Sequence, residues 1–185
     1  RIVLQYDDTI RKNFGKQKYQ DEIKHIVSYQ RRNHFIRKLT LDLKGNTLVL
    51  YNYVEKHGKP LYENIKQYSD DKERKIFFVS GNTPANDREA IRMIVEKQKN
   101  AIIVASLGTF STGINIRNLH NIVFASPSKS QIRVLQSIGR GLRKTDDGKD
   151  TTLYDIVDDI SWKSRKNYGI LHADERLRIY GREKF

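Results

Sequence analysis

The sequence has no cysteine, one methionine, one tryptophan and three prolines among its 185 residues. Without cysteine, the chain can form neither a disulfide framework nor a thiolate metal site. Its apolar runs, such as 76–79 and 101–105, are far shorter than the ~18 residues that a membrane-spanning helix needs, and no signal-peptide pattern opens the chain. We therefore expect a soluble cytoplasmic protein with no membrane partner.

Acidic residues are scarce relative to basic ones. The chain has 35 Lys and Arg against 22 Asp and Glu, which gives a formal charge of +13. Such an excess indicates a polyanionic partner, and nucleic acid is the first candidate. Between Arg11 and Lys38, nine basic and two acidic residues give a local charge of +7. The helical spacing of the apolar residues predicts a basic helical arm here, although a solvated helix face without a partner stays an alternative.

Short apolar, β-branched runs alternate with amphipathic stretches of helical length. The predicted strands are 47–51, 75–80, 101–106, 121–125 and 151–157. The predicted helices are 56–68, 86–98 and 130–143, followed by a polar helix around 173–180. This alternation favours an α/β fold in which helices flank a parallel sheet.

The sharpest motif is Gln136-x-x-Gly139-Arg140-x-x-Arg143, within the predicted helix 130–143. Residues i, i+4 and i+7 of a helix share one face, so Gln136, Arg140 and Arg143 are predicted to point the same way. Two guanidinium groups suit phosphate, because each offers paired planar donors and stays charged at neutral pH. Gly139 lets another backbone approach closely. Two surface arginines on an amphipathic helix are the alternative that this motif leaves open.

A second motif is the loop predicted after the third strand, at 106–116. Ligands of open α/β sheets bind beyond the carboxyl ends of the strands, where this loop emerges. Its hydroxyls and backbone N–H groups are suited to a phosphodiester backbone. The candidate residues are Ser106, Thr109, Ser111 and Thr112. An ordinary crossover turn would have a similar composition.

In their order along the chain, these pieces resemble motifs V and VI of the second RecA-like domain of superfamily 2 helicases. The resemblance covers roughly residues 46–158, with 48–51 at the place of motif IV and 79–81 at the next nucleic-acid-contacting turn. The segments 109–118 and 134–140 and the C-terminal tail are similar, within that superfamily, to recombination and repair helicases of T-even bacteriophages. The resemblance implies a RecA-like, P-loop NTPase-type domain and an ATP-driven motor that remodels branched DNA.

The resemblance also implies roles at the nucleotide. Arg140 and Arg143 would reach the γ-phosphate across an interdomain cleft, with Arg143 the expected arginine finger. Gln136 would hold in place the helix face that carries the two arginines, together with the bound nucleotide. Asn115 takes the place usually held by an aspartate near the ribose, which removes a charge and puts that contact in question. The expected cofactor-binding residues are Gly113, Asn115 and Gly139.

Nucleic-acid contacts are implied at two turns. Ser106 stands where the family has a hydroxyl that contacts the nucleic-acid backbone, and Ser80 and Gly81 occupy the other contacting turn. Thr109, Ser111 and Thr112 complete the expected set. The expected partner is branched or single-stranded DNA, with RNA as a further candidate, bound by a monomer in the cytoplasm of an infected bacterial cell.

The sequence lacks a phosphate-binding loop of the form Gly-x-x-x-x-Gly-Lys-Ser/Thr and an Asp-Glu pair after an apolar strand. The nearest run, 139–145, continues a predicted helix and has Arg143 where that loop needs glycine. Because the chain opens on Arg1 and its only Met is Met93, we expect it to begin partway through a longer polypeptide. ATP and Mg²⁺ are then expected mainly on an N-terminal RecA-like domain, with no metal site and no ATPase on this chain alone.

The expected organisation is a basic helical arm or interdomain linker at 1–44, a helicase C-terminal domain at 45–160 and a helical extension at 161–185. Two other hypotheses about the function stay open. A non-catalytic basic module would bind nucleic acid through phosphate contacts alone, with an affinity that falls steeply with salt. A self-sufficient nucleotide-binding enzyme is disfavoured by the missing phosphate loop.

Overall fold

A computed structural model describes residues 1–14, 17–111, 116–127, 148 and 150–183. The strands are β1 Ile2–Gln5, β2 Thr47–Tyr51, β3 Ile76–Val79, β4 Ile102–Ser106, β5 Asn121–Phe124 and β6 Thr152–Asp159. The helices are α1 Asp8–Phe14, α2 Tyr19–Ser28, α3 Gln30–Asp42, α4 Lys59–Gln67, α5 Ala85–Glu96, α6 Leu107–Ser111 and α7 Tyr168–Glu183. A π-helical turn, Val54–Gly58, precedes α4.

The six described strands form one parallel sheet in the order β1-β6-β5-β2-β4-β3. Every residue of β2, β4 and β5 is buried, because helices cover both faces of the central strands. Alternate residues therefore enter two cores. Leu50 and Phe124 pack on one face, and Val49 and Val123 pack on the other. The predicted parallel sheet with flanking helices is confirmed.

The N-terminal arm contains a strand that the sequence did not predict. β1 pairs in parallel with the last four residues of β6, with Ile2 level with Ile156 and Gln5 level with Asp159. Its side chains alternate between half-buried and exposed, as expected of a short edge strand with one face on the core. Most of the other described residues of the arm are helical, as predicted, and α2 and α3 bury Ile26 and Ile36 completely.

Buried polar contacts join the arm to the end of the chain. The Glu22 carboxylate of α2 accepts hydrogen bonds from Asn167 Nδ2 at 2.8 Å, Tyr168 N at 3.1 Å and Gly169 N at 2.8 Å, so it caps the start of α7. In α3, Arg32 Nε donates to Asp158 Oδ1 at 2.7 Å. These contacts tie the arm to both β6 and α7.

Helix α7 covers 16 residues and is longer than the predicted 173–180. A two-pronged ion pair fixes it to β6, because Arg176 Nε and Nη2 donate to the two Asp155 carboxylate oxygens at 2.9 and 2.8 Å. Tyr180 donates to the same carboxylate at 2.9 Å. No helix among the described residues is both long enough and apolar enough to cross a membrane.

Candidate nucleic-acid interface

The carboxyl ends of β2 to β6 meet at one edge of the sheet because these strands are parallel. Val79 pairs with Ala105, so the next residues, Ser80 and Ser106, are level on adjacent strands. Tyr51 in turn pairs with Ser106. The structure therefore brings together the two serines that the sequence assigned to nucleic-acid contact, about 5 Å apart in strand spacing.

The residues after β4 form a short helix where the sequence predicted a loop. Helix α6 begins directly after Ser106, whose hydroxyl lies 2.6 Å from the Thr109 hydroxyl and accepts a 3.3 Å hydrogen bond from Thr109 N. Both side chains are buried. These hydroxyls thus fix the first turn of α6, and Ser111 ends it.

Two glycines leave space at this edge. The Ser80 carbonyl accepts from Thr83 N at 3.0 Å and the Ser80 hydroxyl from Asn82 N at 3.3 Å, which holds Gly81 at the tip of a tight turn. A Cβ added at Gly81 or Gly108 would meet nothing within 4 Å. Another backbone can therefore approach both glycines closely. The sequence singled out Gly81 but not Gly108, although Gly108 lies within the predicted loop.

A buried polar cluster stands beside this edge, and the sequence did not predict it. Ser126, just after β5, accepts a 3.0 Å hydrogen bond from Asn52 N, and its hydroxyl lies 3.0 Å from His57 Nδ1. His57 lies in the π-helical turn and is completely buried. Burial, with a smaller contribution from the positive charge of Arg32, lowers the pKa of His57 to about 3. The cluster joins the turn after β2 to the end of β5.

The neutral His57 should make stability depend on pH. In the unfolded chain its pKa is about 6.5, so between about pH 6.5 and pH 3 the unfolded state binds a proton that the folded state does not. The free energy of unfolding should therefore fall as the pH falls through this range, by about 2 kcal/mol at about pH 5. We expect His57→Gln to remove this part of the dependence, measured by urea unfolding at about pH 5 and pH 7.5. His34→Gln is the comparison: desolvation and the charges of Arg37 and Lys38 lower the pKa of this exposed histidine only slightly, so it should remove a smaller part of the difference. Equal pH dependence in wild type and His57→Gln would contradict the assignment.

All six predicted nucleotide-contacting residues lie outside the described part of the chain. These are Gln136, Gly139, Arg140, Arg143, Gly113 and Asn115, together with Thr112 of the nucleic-acid set. Among the residues that the structure describes, no group of three or more His, Cys, Asp or Glu side chains could hold a metal ion. At the described edge the Ser80, Ser106 and Thr109 side chains are buried, whereas Gly81 and Gly108 leave open space beside the backbone.

Comparison with known proteins places the chain in a family. The model of the helicase conserved C-terminal domain matches residues 30–145. The chain is also 36% identical over 197 residues to the ATP-dependent DNA helicase uvsW of Enterobacteria phage T4. That alignment covers all of this chain and 38% of the phage T4 protein, so the chain spans about two fifths of this relative.

Solved structures agree with the sequence match. The crystal structure of T4 UvsW superposes with a TM-score of 0.83 at 36% identity, over 99% of this chain and 39% of that one. The E. coli DEAD-box protein SrmB shares the fold at 15% identity, with a TM-score of 0.53 over 70% of this chain and 71% of that one. The C-terminal part of the Fun30 ATPase domain superposes with a TM-score of 0.56 at 15% identity, over 90% of this chain and 51% of that one. The predicted RecA-like class and the resemblance to T-even phage helicases are confirmed.

Proposed function

The chain belongs to the helicase conserved C-terminal domain family, and on this basis we propose that it is the second motor domain of an ATP-dependent helicase that acts on branched DNA. A first RecA-like domain of the same polypeptide would bind most of the nucleotide. This chain would supply arginine fingers and part of the nucleic-acid track. Fork regression, branch migration and the unwinding of RNA-DNA hybrids in recombination and repair are the activities we infer.

One observation carries the proposal: the alignment of Ser80 with Ser106 at the carboxyl edge, next to the open glycines Gly81 and Gly108. Backbone N–H groups and hydroxyls of this kind contact phosphates without reading bases. The +13 charge of the chain favours such a polyanion. We therefore expect little sequence specificity. The remaining proposed contacts are Thr109, Ser111 and Thr112.

The proposed nucleotide contacts are Arg140, Arg143 and Gln136, with Gly113, Asn115 and Gly139 beside them. ATP supplies the phosphoryl group that is transferred to water, and Mg²⁺ would be held mainly by the first domain. Guanidinium, amide and backbone N–H groups are donors, so this chain's residues fit the phosphates rather than the cation. Arg143 and Arg140 would stabilise the charge on the phosphoryl oxygens, and Gln136 would orient that face.

The test of this function compares ATP hydrolysis by this chain alone and by the complete polypeptide. The complete polypeptide should hydrolyse ATP and be stimulated by forked DNA, whereas the chain alone should show no turnover. A complete polypeptide that binds DNA but never hydrolyses ATP would support the non-catalytic module instead. Tight ATP binding and turnover by the 185 residues alone would indicate a self-sufficient nucleotide enzyme.

The open space at Gly81 gives a prediction for the nucleic-acid track. Gly81→Val should leave the melting temperature unchanged, because an added Cβ meets no atom within 4 Å. The larger side chain should keep the phosphate backbone away from the turn. Losing one hydrogen bond to a charged phosphate costs about 1.5–3 kcal/mol, so affinity for forked DNA should fall about tenfold or more in a fluorescence anisotropy titration.

Gly181→Val is the matched control for Gly81→Val. Gly181 lies in α7, and a Cβ there also meets nothing within 4 Å. It should leave both stability and affinity unchanged. Equal affinities for Gly81→Val and Gly181→Val would remove Gly81 from the proposed track.

A further inference from the structure

The connection between β6 and α7 forms a tight turn that carries exposed cations. Trp162 and Arg165 exchange two backbone hydrogen bonds of 3.1 Å, each N–H donating to the other residue's carbonyl. Lys163 and Arg165 project from this turn and are exposed. The helicase motifs of the sequence end before it, so none of the site residues above belongs to this turn.

The base of this turn is held firmly. Asn167, only 6% exposed, accepts from Ile160 N at 3.2 Å and the Ser161 hydroxyl at 3.1 Å, and it donates to the Asp158 carbonyl at 2.9 Å. Arg11 Nε donates to the Ser161 carbonyl at 2.8 Å. The backbone that carries Lys163 and Arg165 is thus preorganised, which lowers the conformational entropy lost when these side chains bind a ligand.

Lys163 adopts a left-handed backbone conformation, with φ of 53°. Glycine or asparagine would adopt it at less cost, since the conformation costs other residues about 1–2 kcal/mol. Lys166 is engaged with Asp174 at 3.0 Å. Neither Lys163 nor Arg165 has an ion pair among the residues that the structure describes. Both side chains are exposed, so an external anion can reach them.

The register places this turn above the edge that holds Ser80 and Ser106. Phe124 at the end of β5 pairs with Asp155, and β6 continues four residues further, to Asp159. At about 3.3 Å per residue, β6 extends ~13 Å beyond its neighbour. Three strand spacings, ~14 Å, separate β6 from β4. The turn that follows β6 thus lies beyond the carboxyl edge of the sheet, on one side of the proposed track.

We propose that Lys163 and Arg165 form a second phosphate-binding site, which contacts the nucleic-acid backbone beside the Ser80–Ser106 edge. The inference rests on the proposed function, because it needs a nucleic acid lying on that edge. The site recognises the phosphodiester backbone and not the bases. A nucleic-acid backbone that runs from β4, at the level where β5 ends, to the end of β6 crosses ~14 Å sideways and rises ~13 Å, so it covers ~19 Å, roughly five to six base pairs of duplex.

The test measures DNA binding by the complete polypeptide as a function of salt. The variant Lys163→Asn with Arg165→Gln removes both charges and keeps a residue tolerant of the left-handed backbone at 163. The control, Lys97→Gln with Lys99→Gln, removes two exposed charges just before β4, at the opposite edge of the sheet. Each lost phosphate contact lowers the slope of log K against log salt by about 0.7 for single strands and about 0.9 for duplex.

In the turn variant, Lys163→Asn with Arg165→Gln, we expect the slope of log K against log salt to become shallower by about 1.4 with a single-stranded probe or by about 1.8 with a forked duplex. The melting temperature should stay unchanged. The control pair should keep the wild-type slope. Arg165→Lys with Lys163→Arg should also keep it, because both charges remain. If wild type binds DNA and the turn variant has the control's slope on both probes, the second site is refuted while the proposed function stands. If wild type itself does not bind DNA, both fail.

Discussion

Arg143→Ala in the complete polypeptide is expected to lower ATP turnover by about 10³- to 10⁵-fold and to leave nucleotide binding largely intact. The reason is that charge on the transferring phosphoryl group spreads over its oxygens, and a guanidinium fixed across the cleft stabilises it. Nucleotide affinity comes mainly from the first domain. Lysine should not restore the rate, because its single ammonium lacks the planar pair of donors.

The same experiment applies to Arg140→Ala, with Arg117→Ala as the control. Arg117 lies within the family match, but it is exposed just before β5, at the edge opposite the proposed site. Steady-state ATPase and a fluorescent-nucleotide titration should separate turnover from binding. Near-normal turnover in both the Arg143 and Arg140 variants would refute the arginine-finger assignment, whereas weak nucleotide binding would assign these arginines to ground-state affinity.

Glu22→Ala is expected to destabilise the protein by about 3–5 kcal/mol. The carboxylate is 2% exposed and accepts three hydrogen bonds from the segment 167–169. Its removal leaves Tyr168 N, Gly169 N and one of the two Asn167 Nδ2 hydrogens without an acceptor, while the other hydrogen keeps the Asp158 carbonyl. Each unsatisfied buried group costs about 1–3 kcal/mol. The melting temperature should fall by roughly 6–20 °C in a calorimetric scan.

Glu63→Ala is the matched control for the loss of Glu22, because Glu63 is an exposed residue of α4. It should shift the melting temperature by no more than about 2 °C. Glu22→Gln keeps one acceptor and should fall between the two. If Glu22→Ala melts like Glu63→Ala, Glu22 does not hold the start of α7.

The central strands were predictable because each is a continuous apolar run that only a doubly covered sheet accommodates. The observed bounds of β2 to β5 lie within one residue of the predicted ones, as 47–51 for β2 shows. β1 was missed because it spans four residues, and the helical spacing of the arm dominates the pattern around it. Its partner, 156–159, lies more than 150 residues away, so no local signal marks the pairing. The division of the chain at residues 44 and 160 remains a prediction.

The part of the site that directly follows the strands was predictable from the sequence. Ser80 and Ser106 follow strands, and parallel strands bring such residues to one edge. The cluster of His57, Ser126 and Asn52 was not predictable, because the three residues meet only once the order of β2 and β5 is known. The roles of Arg140 and Arg143 stay predictions of the motif.

The pairing of β1 with β6 has a consequence for biosynthesis. Residues 2–5 are translated well before their hydrogen-bonding partners at 156–159. The Glu22 cap waits longer still, for 167–169. Because loop closure over such separations is slow, β1 must stay unpaired while the central strands assemble. A strand made before the rest of this sheet is thus among the last to join it.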